Sequence, residues 1–115
     1  TDAVLSPLFV LTHIHTLNVI DCDVTDVGVG YLTRLNHLDN LLLAGTQVTD
    51  AGLAHLKGIN TLRSLALQGT KVTDAGLEYL KELPQLEALD VRDTQVTDQG
   101  VQALQKTLPK CQIMR

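Results

Sequence analysis

Two spacings of apolar residues alternate along the chain. Leu41 and Leu43 lie two positions apart, as they do in a β-strand that buries one face. Leu53, Leu56 and Ile59 then follow at intervals of three, which is the spacing of one stripe along an α-helix or a 3₁₀ segment. The pattern therefore predicts a unit of one strand, one turn and one short helix.

This unit recurs, and a Thr-Asp pair marks each copy at an interval of 24 residues. The pairs begin at Thr1, Thr25, Thr49, Thr73 and Thr97. The chain accordingly divides into the second half of a repeat at 1–13, full repeats at 14–37, 38–61, 62–85 and 86–110, and a cap strand at 111–115. A single unit cannot cover its own leucines, so we expect the copies to stack as one domain over residues 1–115.

Stacked units of this kind predict an α/β fold, a right-handed solenoid with a parallel sheet on the concave side and short helices on the convex side. Strands are expected near 16–19, 40–43, 64–67 and 88–91, and helices near 50–57 and the equivalent positions. Either Asp50 or Thr49 can cap the free N–H groups of such a helix. In the cap strand, Cys111 and Met114 are expected at the first and second leucine positions of the repeat.

The repeat template, L-x-x-L-x-L-x-x-T-x-V-T-D-x-G-L, resembles the leucine-rich repeat. It is similar to the cysteine-containing repeats of F-box adaptors and ribonuclease-inhibitor-like proteins. It is more similar to the bacterial 24-residue form, in which threonine replaces the cysteine. In this chain Cys22 occupies that position first, followed by Thr46, Thr70 and Thr94. The resemblance covers the whole chain and implies a solenoid scaffold, but it implies no particular partner.

The composition narrows the classes of function. The formal net charge is -4 and Lys and Arg nowhere form a run, which argues against a nucleic-acid partner. No apolar stretch approaches the roughly 20 residues that cross a bilayer, so we expect no membrane insertion. The chain also lacks a Ser/His/Asp set, a phosphate-binding glycine loop and a C-x-x-C pair. We therefore expect neither an enzyme nor a cofactor.

Two cysteines, Cys22 and Cys111, stand almost four repeats apart in the sequence. At one strand spacing per repeat, they are on the order of 18 Å apart, too far to form a disulfide. We interpret both as buried packing thiols. The two cysteines do not indicate in which cellular compartment the protein resides.

The leading hypothesis is a protein-interaction module or scaffold, taken from a longer repeat array in a larger protein. The partner is expected to be another protein, which contacts either the concave face of the sheet or a ridge on the convex side. The concave candidates are Thr16, Asn18, Ile20, Asn40, Leu42, Ser64, Gln68, Asp90 and Arg92. The ridge candidates share one helix position and are Tyr31, His55 and Tyr79.

A further contact is predicted at Phe9 and Val10. The equivalent positions of the later repeats carry polar residues such as Lys81 and Glu82. Because covering apolar surface is favourable, we expect Phe9 and Val10 to pack against a second copy of the chain or against more of a longer protein.

The alternative hypothesis is a metal-binding or regulatory unit. His13 and His37 share one repeat position, and His15 and Asp39 share the position two residues later. Neighbouring strands of a sheet lie roughly 5 Å apart, so these four side chains are expected near one corner of the sheet. Imidazole and carboxylate groups are ligands of zinc and nickel.

Overall fold

Residues 14–115 of the chain are described in a computed structural model, as a stack of strand–turn–helix units. The strands are β1 (Thr16–Asn18), β2 (Asn40–Leu42), β3 (Ser64–Ala66), β4 (Ala88–Asp90) and β5 (Gln112–Met114). The helices are α1 (Asp26–Tyr31), followed by a 3₁₀ turn (Leu32–Arg34), then α2 (Asp50–Leu56), α3 (Asp74–Leu80) and α4 (Asp98–Thr107). The first four strands lie within the ranges predicted from the spacing of the leucines.

The five strands form one parallel sheet in sequence order. Asn40 of β2 pairs with Ser64 of β3, and each pair of neighbouring strands is offset by the same 24 residues. The middle residue of each central strand points inward, and Leu41, Leu65 and Leu89 are at most 1% exposed. The predicted α/β fold with a parallel sheet is confirmed.

The helices cover the inner face of the sheet. Leu56 and Leu80 end α2 and α3, and Leu32 begins the 3₁₀ turn after α1; all three are completely buried. They join the strand leucines in one continuous apolar core. Each helix packs on the next one in the sequence, so every repeat supplies one leucine layer to its neighbours.

Threonine caps each helix. The Thr49 hydroxyl accepts a hydrogen bond from the Ala51 N–H at 3.3 Å, and Thr73 accepts one from the Ala75 N–H at 3.2 Å. Of the two caps that the sequence allowed, the structure therefore uses the threonine. Such a cap typically contributes about 1 kcal/mol to helix stability.

The aspartate of each Thr-Asp pair binds the next repeat instead. Asp50 Oδ1 accepts the Thr73 N–H at 2.7 Å, and Asp50 Oδ2 accepts the Thr73 hydroxyl at 2.5 Å. The same pair of bonds joins Asp26 to Thr49 and Asp74 to Thr97. We call these contacts the Asp–Thr ladder. Through it, Thr49, Thr73 and Thr97 are each held by the repeat that precedes them.

The repeated glycine makes room for the ladder. A Cβ atom at Gly52 would lie 2.5 Å from Asp26 Oδ1, closer than real Cβ contacts come. A Cβ atom at Gly76 or Gly100 would overlap the carboxylate of the preceding aspartate in the same way. The glycine of the D-x-G sequence is therefore required by the neighbouring repeat rather than by its own helix.

Arg115 closes the ladder at the last helix. The Asp98 carboxylate accepts a hydrogen bond from Arg115 Nη1 at 2.7 Å, and Arg115 Nε donates to the Val96 carbonyl at 2.9 Å. A guanidinium therefore takes the place that the threonine of a following repeat holds elsewhere. This contact ties β5 to the start of α4.

The prediction for Met114 is wrong. Ile113 pairs with Leu89 and points inward, whereas Met114 pairs with Asp90 and is 46% exposed. The cap strand enters the sheet one residue out of step with the assumed register. A shift of one residue exchanges the two faces of a strand, so Ile113 occupies the inward position instead of Met114.

The prediction that both cysteines are buried holds for Cys111, which is 3% exposed, but is wrong for Cys22, which is exposed. Thr46 and Thr70, at the position equivalent to Cys22, are buried, and Thr94 is half-buried. The central positions are covered because a described repeat stacks on each side of them. Cys22 lies in the outermost described turn and lacks this cover within residues 14–115.

Candidate interaction surface

The outward side chains of the sheet form the largest candidate site. We call this surface the outer sheet face; it comprises the outward residues of the strands and of the two positions that follow each strand. Four of the predicted contacts are exposed: Thr16, Asn18, Ile20 and Arg92. Asn40, Leu42, Ser64 and Gln68 are half-buried, and Asp90 is buried. The candidates thus differ in how much surface each offers to a partner.

The centre of the outer sheet face is flat. Ala44 and Ala66 lie there with less than a tenth of their surface exposed. Gly45 and Gly69 follow with φ angles of 71° and 73°, in the left-handed region that favours glycine. At Gly45 a side chain would also overlap the carboxylate of Asp21 in the preceding repeat. The equivalent positions Asp21 and Asp93 adopt the same φ region, so the close approach of Asp21 favours glycine at Gly45 more than φ alone does. The small residues in this part of the face let a partner approach the backbone closely.

Larger apolar side chains border this flat centre. Ile20 is 39% exposed at one end of the face and Met114 is 46% exposed at the other. Within residues 14–115, the remaining exposed large apolar side chain is Val27, on α1. The outer sheet face therefore combines apolar contact area at its ends with a shallow middle.

Asp90 and Arg92 form an ion pair on this face. Arg92 Nε lies 3.0 Å from Asp90 Oδ1 and Arg92 Nη2 lies 2.7 Å from Asp90 Oδ2, so the guanidinium binds both oxygens. The Arg92 backbone N–H also donates to Asp90 Oδ1 at 3.1 Å. These hydrogen bonds lower the pKa of the buried Asp90 carboxyl, although burial itself raises it. The pairing compensates a carboxylate that would otherwise be costly to bury.

Two amide oxygens on the outer sheet face are buried without a hydrogen-bond partner in the described part of the chain. They belong to Asn40 and Gln68. An unpaired buried polar atom costs roughly 1–3 kcal/mol. A donor group of a partner would reach these oxygens only after the two side chains turned outward.

The predicted ridge lies on the opposite side of the molecule. Tyr31 and Tyr79 are half-buried and pack on the apolar core, whereas His55 is exposed. The Lys57 ammonium lies 5.7 Å from the centre of the Tyr79 ring, within reach of a cation–π contact. Part of each tyrosine ring therefore packs in the core, and less of its surface is available to a partner than the sequence indicated.

The predicted metal corner is only partly within the described residues. His15 Nδ1 lies 3.7 Å from Asp39 Oδ2, and the His15 and His37 rings are 5.9 Å apart. His13 lies outside the described residues, as do Phe9 and Val10 of the predicted end contact. Among residues 14–115, no three His, Cys, Asp or Glu side chains are grouped to hold a metal ion.

A groove that the sequence did not indicate lies where β3, β4 and β5 begin. Its volume is about 740 Å³. Arg63, Glu87 and Lys110 border it, and Pro84 and Ala88 contribute apolar surface. The groove forms between the loop after α3 and the starts of the strands, so its parts are distant in the sequence.

None of the helices within residues 14–115 has the length and apolarity that a membrane crossing requires. No curated protein sequence matches the chain.

Solved structures share the fold. Internalin C2 from Listeria monocytogenes is 30% identical over 99% of this chain and 44% of its own, with a TM-score of 0.66. Internalin InlF from the same organism is 19% identical over 95% of this chain and 36% of its own, with a TM-score of 0.62. Actin-binding site 2 of leiomodin-1 is 17% identical over 96% of this chain and 76% of its own, with a TM-score of 0.73. The chain thus spans less than half the length of either internalin.

The family model for the Leucine Rich repeat matches residues 10–33, 58–81 and 83–104, which together are more than half of the chain. The matched segments contain Leu65 and Leu89 of the strands, the capping residues Thr73 and Thr97, and the ladder residues Asp26 and Asp74. The chain belongs to the leucine-rich repeat family.

Proposed function

We propose that this chain is a protein-interaction module that binds a partner protein through its outer sheet face. The observation that carries the proposal is the arrangement of that face. No described helix covers it, it bears exposed Ile20 and Met114 at its ends, and Arg92, two positions after β4, is also exposed. Methionine, arginine and apolar residues around a flat centre are typical of surfaces that proteins bury on association.

The similar structures support the same class of function. One of them is an actin-binding site of leiomodin-1, so a protein of this fold binds another protein. The likeness to that protein concerns the fold, and the partner of this chain is a separate question. The class that we propose is binding, and an enzymatic role is not part of it.

The size of the outer sheet face favours a longer array. Five strands with about 15 Å of outward length each present roughly 300–400 Å² of projected area. A stable interface usually takes about 800 Å² from each partner. We therefore propose that this chain acts as part of a longer repeat array, in which further strands extend the same face.

We also propose that the repeats are of the 24-residue threonine type rather than the cysteine type. The Thr46 and Thr70 hydroxyls each donate to a strand carbonyl three residues earlier at 2.7 Å, and both are buried. A thiol is a weaker donor and would close this turn less firmly. Thr94 makes the same bond at 2.6 Å, so three successive repeats use the hydroxyl.

Affinity capture with two matched variants tests the interaction surface. Leu42→Arg places a large charge on the outer sheet face, at a position where other repeats carry Asn18 and Asp90. Ala75→Arg places the same side chain on the exposed side of α3. A partner protein should bind the unmodified chain and the Ala75→Arg variant, and bind the Leu42→Arg variant at least about tenfold more weakly.

Circular dichroism of both variants serves as the control that each is folded. Loss of binding in the Ala75→Arg variant with full binding in the Leu42→Arg variant would place the contact on the helices and contradict the proposal.

A further inference from the structure

The two edges of the solenoid carry opposite charge. One edge consists of the segments that lead from each helix to the next strand, at 33–39, 57–63, 81–87 and 105–111, and we call it the basic edge. It carries six Lys or Arg and three acidic residues: Arg34, Lys57, Arg63, Lys81, Lys106, Lys110, Asp39, Glu82 and Glu87. The opposite edge, at 20–26, 44–50, 68–74 and 92–98, carries seven acidic and two basic residues.

Stabilisation of the helices explains only part of this asymmetry. Basic residues near a helix C-terminus interact favourably with its dipole, which accounts for residues such as Lys57 directly after α2. The effect fades beyond the last turn. Arg63 stands at the start of β3, and Lys110 follows the Pro109 that separates α4 from β5. Their charges are therefore not required by the helices.

These two residues stand at the groove of about 740 Å³ described above. The nearest acid, Glu87, lies 3.9 Å from Arg63, but both side chains are more than 60% exposed. An ion pair with that exposure is worth little and is easily exchanged for another. Lys110 has no ion-pair partner among residues 14–115. The groove therefore offers two available positive charges beside the apolar surface of Pro84 and Ala88.

The remaining lining of the groove limits the kind of ligand that fits. Pro84 and Ala88 contribute apolar surface, and the backbone N–H groups of Glu87 and Ala88 are already bonded to the Arg63 carbonyl at 2.7 and 3.1 Å. The groove thus offers apolar contact and side-chain charge rather than backbone pairing. A segment with acidic residues between aliphatic ones matches both properties.

We infer that this groove on the basic edge binds an acidic segment of a partner protein. The opposite charge of the other edge repels such a segment and orients it towards the groove during the approach. The groove meets the outer sheet face at Ser64 and Ala88. Its two charged residues, Arg63 and Lys110, lie outside that face, so variants at these residues test the inference separately from the proposed function.

The probe for the test is a capped, fluorescently labelled peptide in which leucine and glutamate alternate. Its analogue with glutamine in place of glutamate has the same shape without the charge. Binding of both peptides to the full chain is measured by fluorescence anisotropy. We expect the glutamate peptide to bind at least about tenfold more tightly, because hydrogen bonds to charged groups contribute more than neutral ones.

Two double variants with the same change in net charge locate the site. Arg63→Gln with Lys110→Gln removes the two charges at the groove, whereas Lys57→Gln with Lys106→Gln removes two from the same edge outside it. The groove variant should weaken binding about tenfold or more. The matched variant should weaken it less than about twofold, since exposed charges at a distance are screened.

Three results would overturn the inference. Equal weakening by both double variants would mean that the peptide responds to the charge of the whole edge and not to the groove. Equal binding of the glutamate and glutamine peptides would mean that charge plays no part. Equal competition by an oligothymidine, with the same dependence on Arg63 and Lys110, would identify a general anion site rather than a site for a protein segment.

Discussion

The role of the repeated glycine can be tested at Gly100. Substitution to alanine should lower the free energy of unfolding when Asp74 is present and raise it when Asp74 is replaced by alanine. Gly100 lies in α4, and alanine in a helix is favoured over glycine by about 0.8–1 kcal/mol. Considered alone, its helix would therefore gain stability from Gly100→Ala. The neighbouring repeat opposes this gain. All three heavy atoms nearest to a Cβ at Gly100 belong to Asp74, and the carboxylate would be overlapped.

Moving that carboxylate breaks the ladder. Asp74 accepts the Thr97 N–H at 2.8 Å and the Thr97 hydroxyl at 2.5 Å. Each hydrogen bond to a charged group contributes about 1.5 kcal/mol at the lower, solvent-exposed end of the range. Losing both costs about 3 kcal/mol, and the helix gain of up to 1 kcal/mol offsets part of it. Gly100→Ala should therefore lower the free energy of unfolding by about 2 kcal/mol.

The double variant separates this mechanism from simple crowding. Asp74→Ala alone should cost about 3 kcal/mol, because both bonds to Thr97 are lost. In that background the overlap with the carboxylate is gone, and the Cβ of residue 74 remains 3.1 Å from the added methyl group. That contact requires a shift of only a few tenths of an ångström, so adding Gly100→Ala should raise stability by up to about 1 kcal/mol. The free energies of the four proteins are measured by urea unfolding followed by circular dichroism. Additive losses in the double variant, or a Gly100→Ala variant as stable as the unmodified chain, would refute the reasoning.

Three further outcomes are expected. In the native protein a thiol reagent should label the exposed Cys22 and leave Cys111 unlabelled until the chain is unfolded, because Cys111 is buried and burial raises the pKa of its thiol; equal labelling rates would contradict this. Arg92→Gln should lower the urea midpoint at neutral pH and lower it less at about pH 2. Arg92 depresses the pKa of the Asp90 carboxyl in the folded protein. The stability that results is present above the pKa of the unfolded state and is lost as the pH falls through the pKa of the folded state. A pH-independent difference would rule out that contribution. Phe9→Glu should leave the fold intact and make the protein more monomeric in sedimentation, whereas a strictly monomeric unmodified chain would contradict the predicted end contact.

Much of the fold was predictable because its signals are local. Leu41 and Leu43 mark a strand, and Leu53 and Leu56 mark a helix, from nothing more than their spacing. The constant interval between Thr-Asp pairs also determines which residues pair across the sheet. The candidate surface was predictable to the extent that alternation along a strand decides which side chains point outward.

What the sequence did not reveal concerns contacts between repeats. Asp50 looks like a cap for its own helix, yet it binds Thr73 of the following repeat. Asp90 and Arg92 each stand on the outer sheet face in the sequence pattern, but in the structure they bond to each other, and Asp90 is buried while Arg92 is exposed. Such pairings depend on the directions of side chains, which the residue types alone do not specify.

The sequence by itself thus determined the repeating unit, the register of β1 to β4 and the parallel sheet, because a period of 24 residues repeats the same local choices in each unit. Only the tertiary structure decided which positions are covered and that Arg115 binds the Asp98 carboxylate at α4. Cys22 and Thr46 hold the same place in the repeat, yet the first is exposed and the second buried. The physical reason is that burial in a stack depends on the neighbours of a repeat, and equivalent residues in the sequence do not have equivalent neighbours.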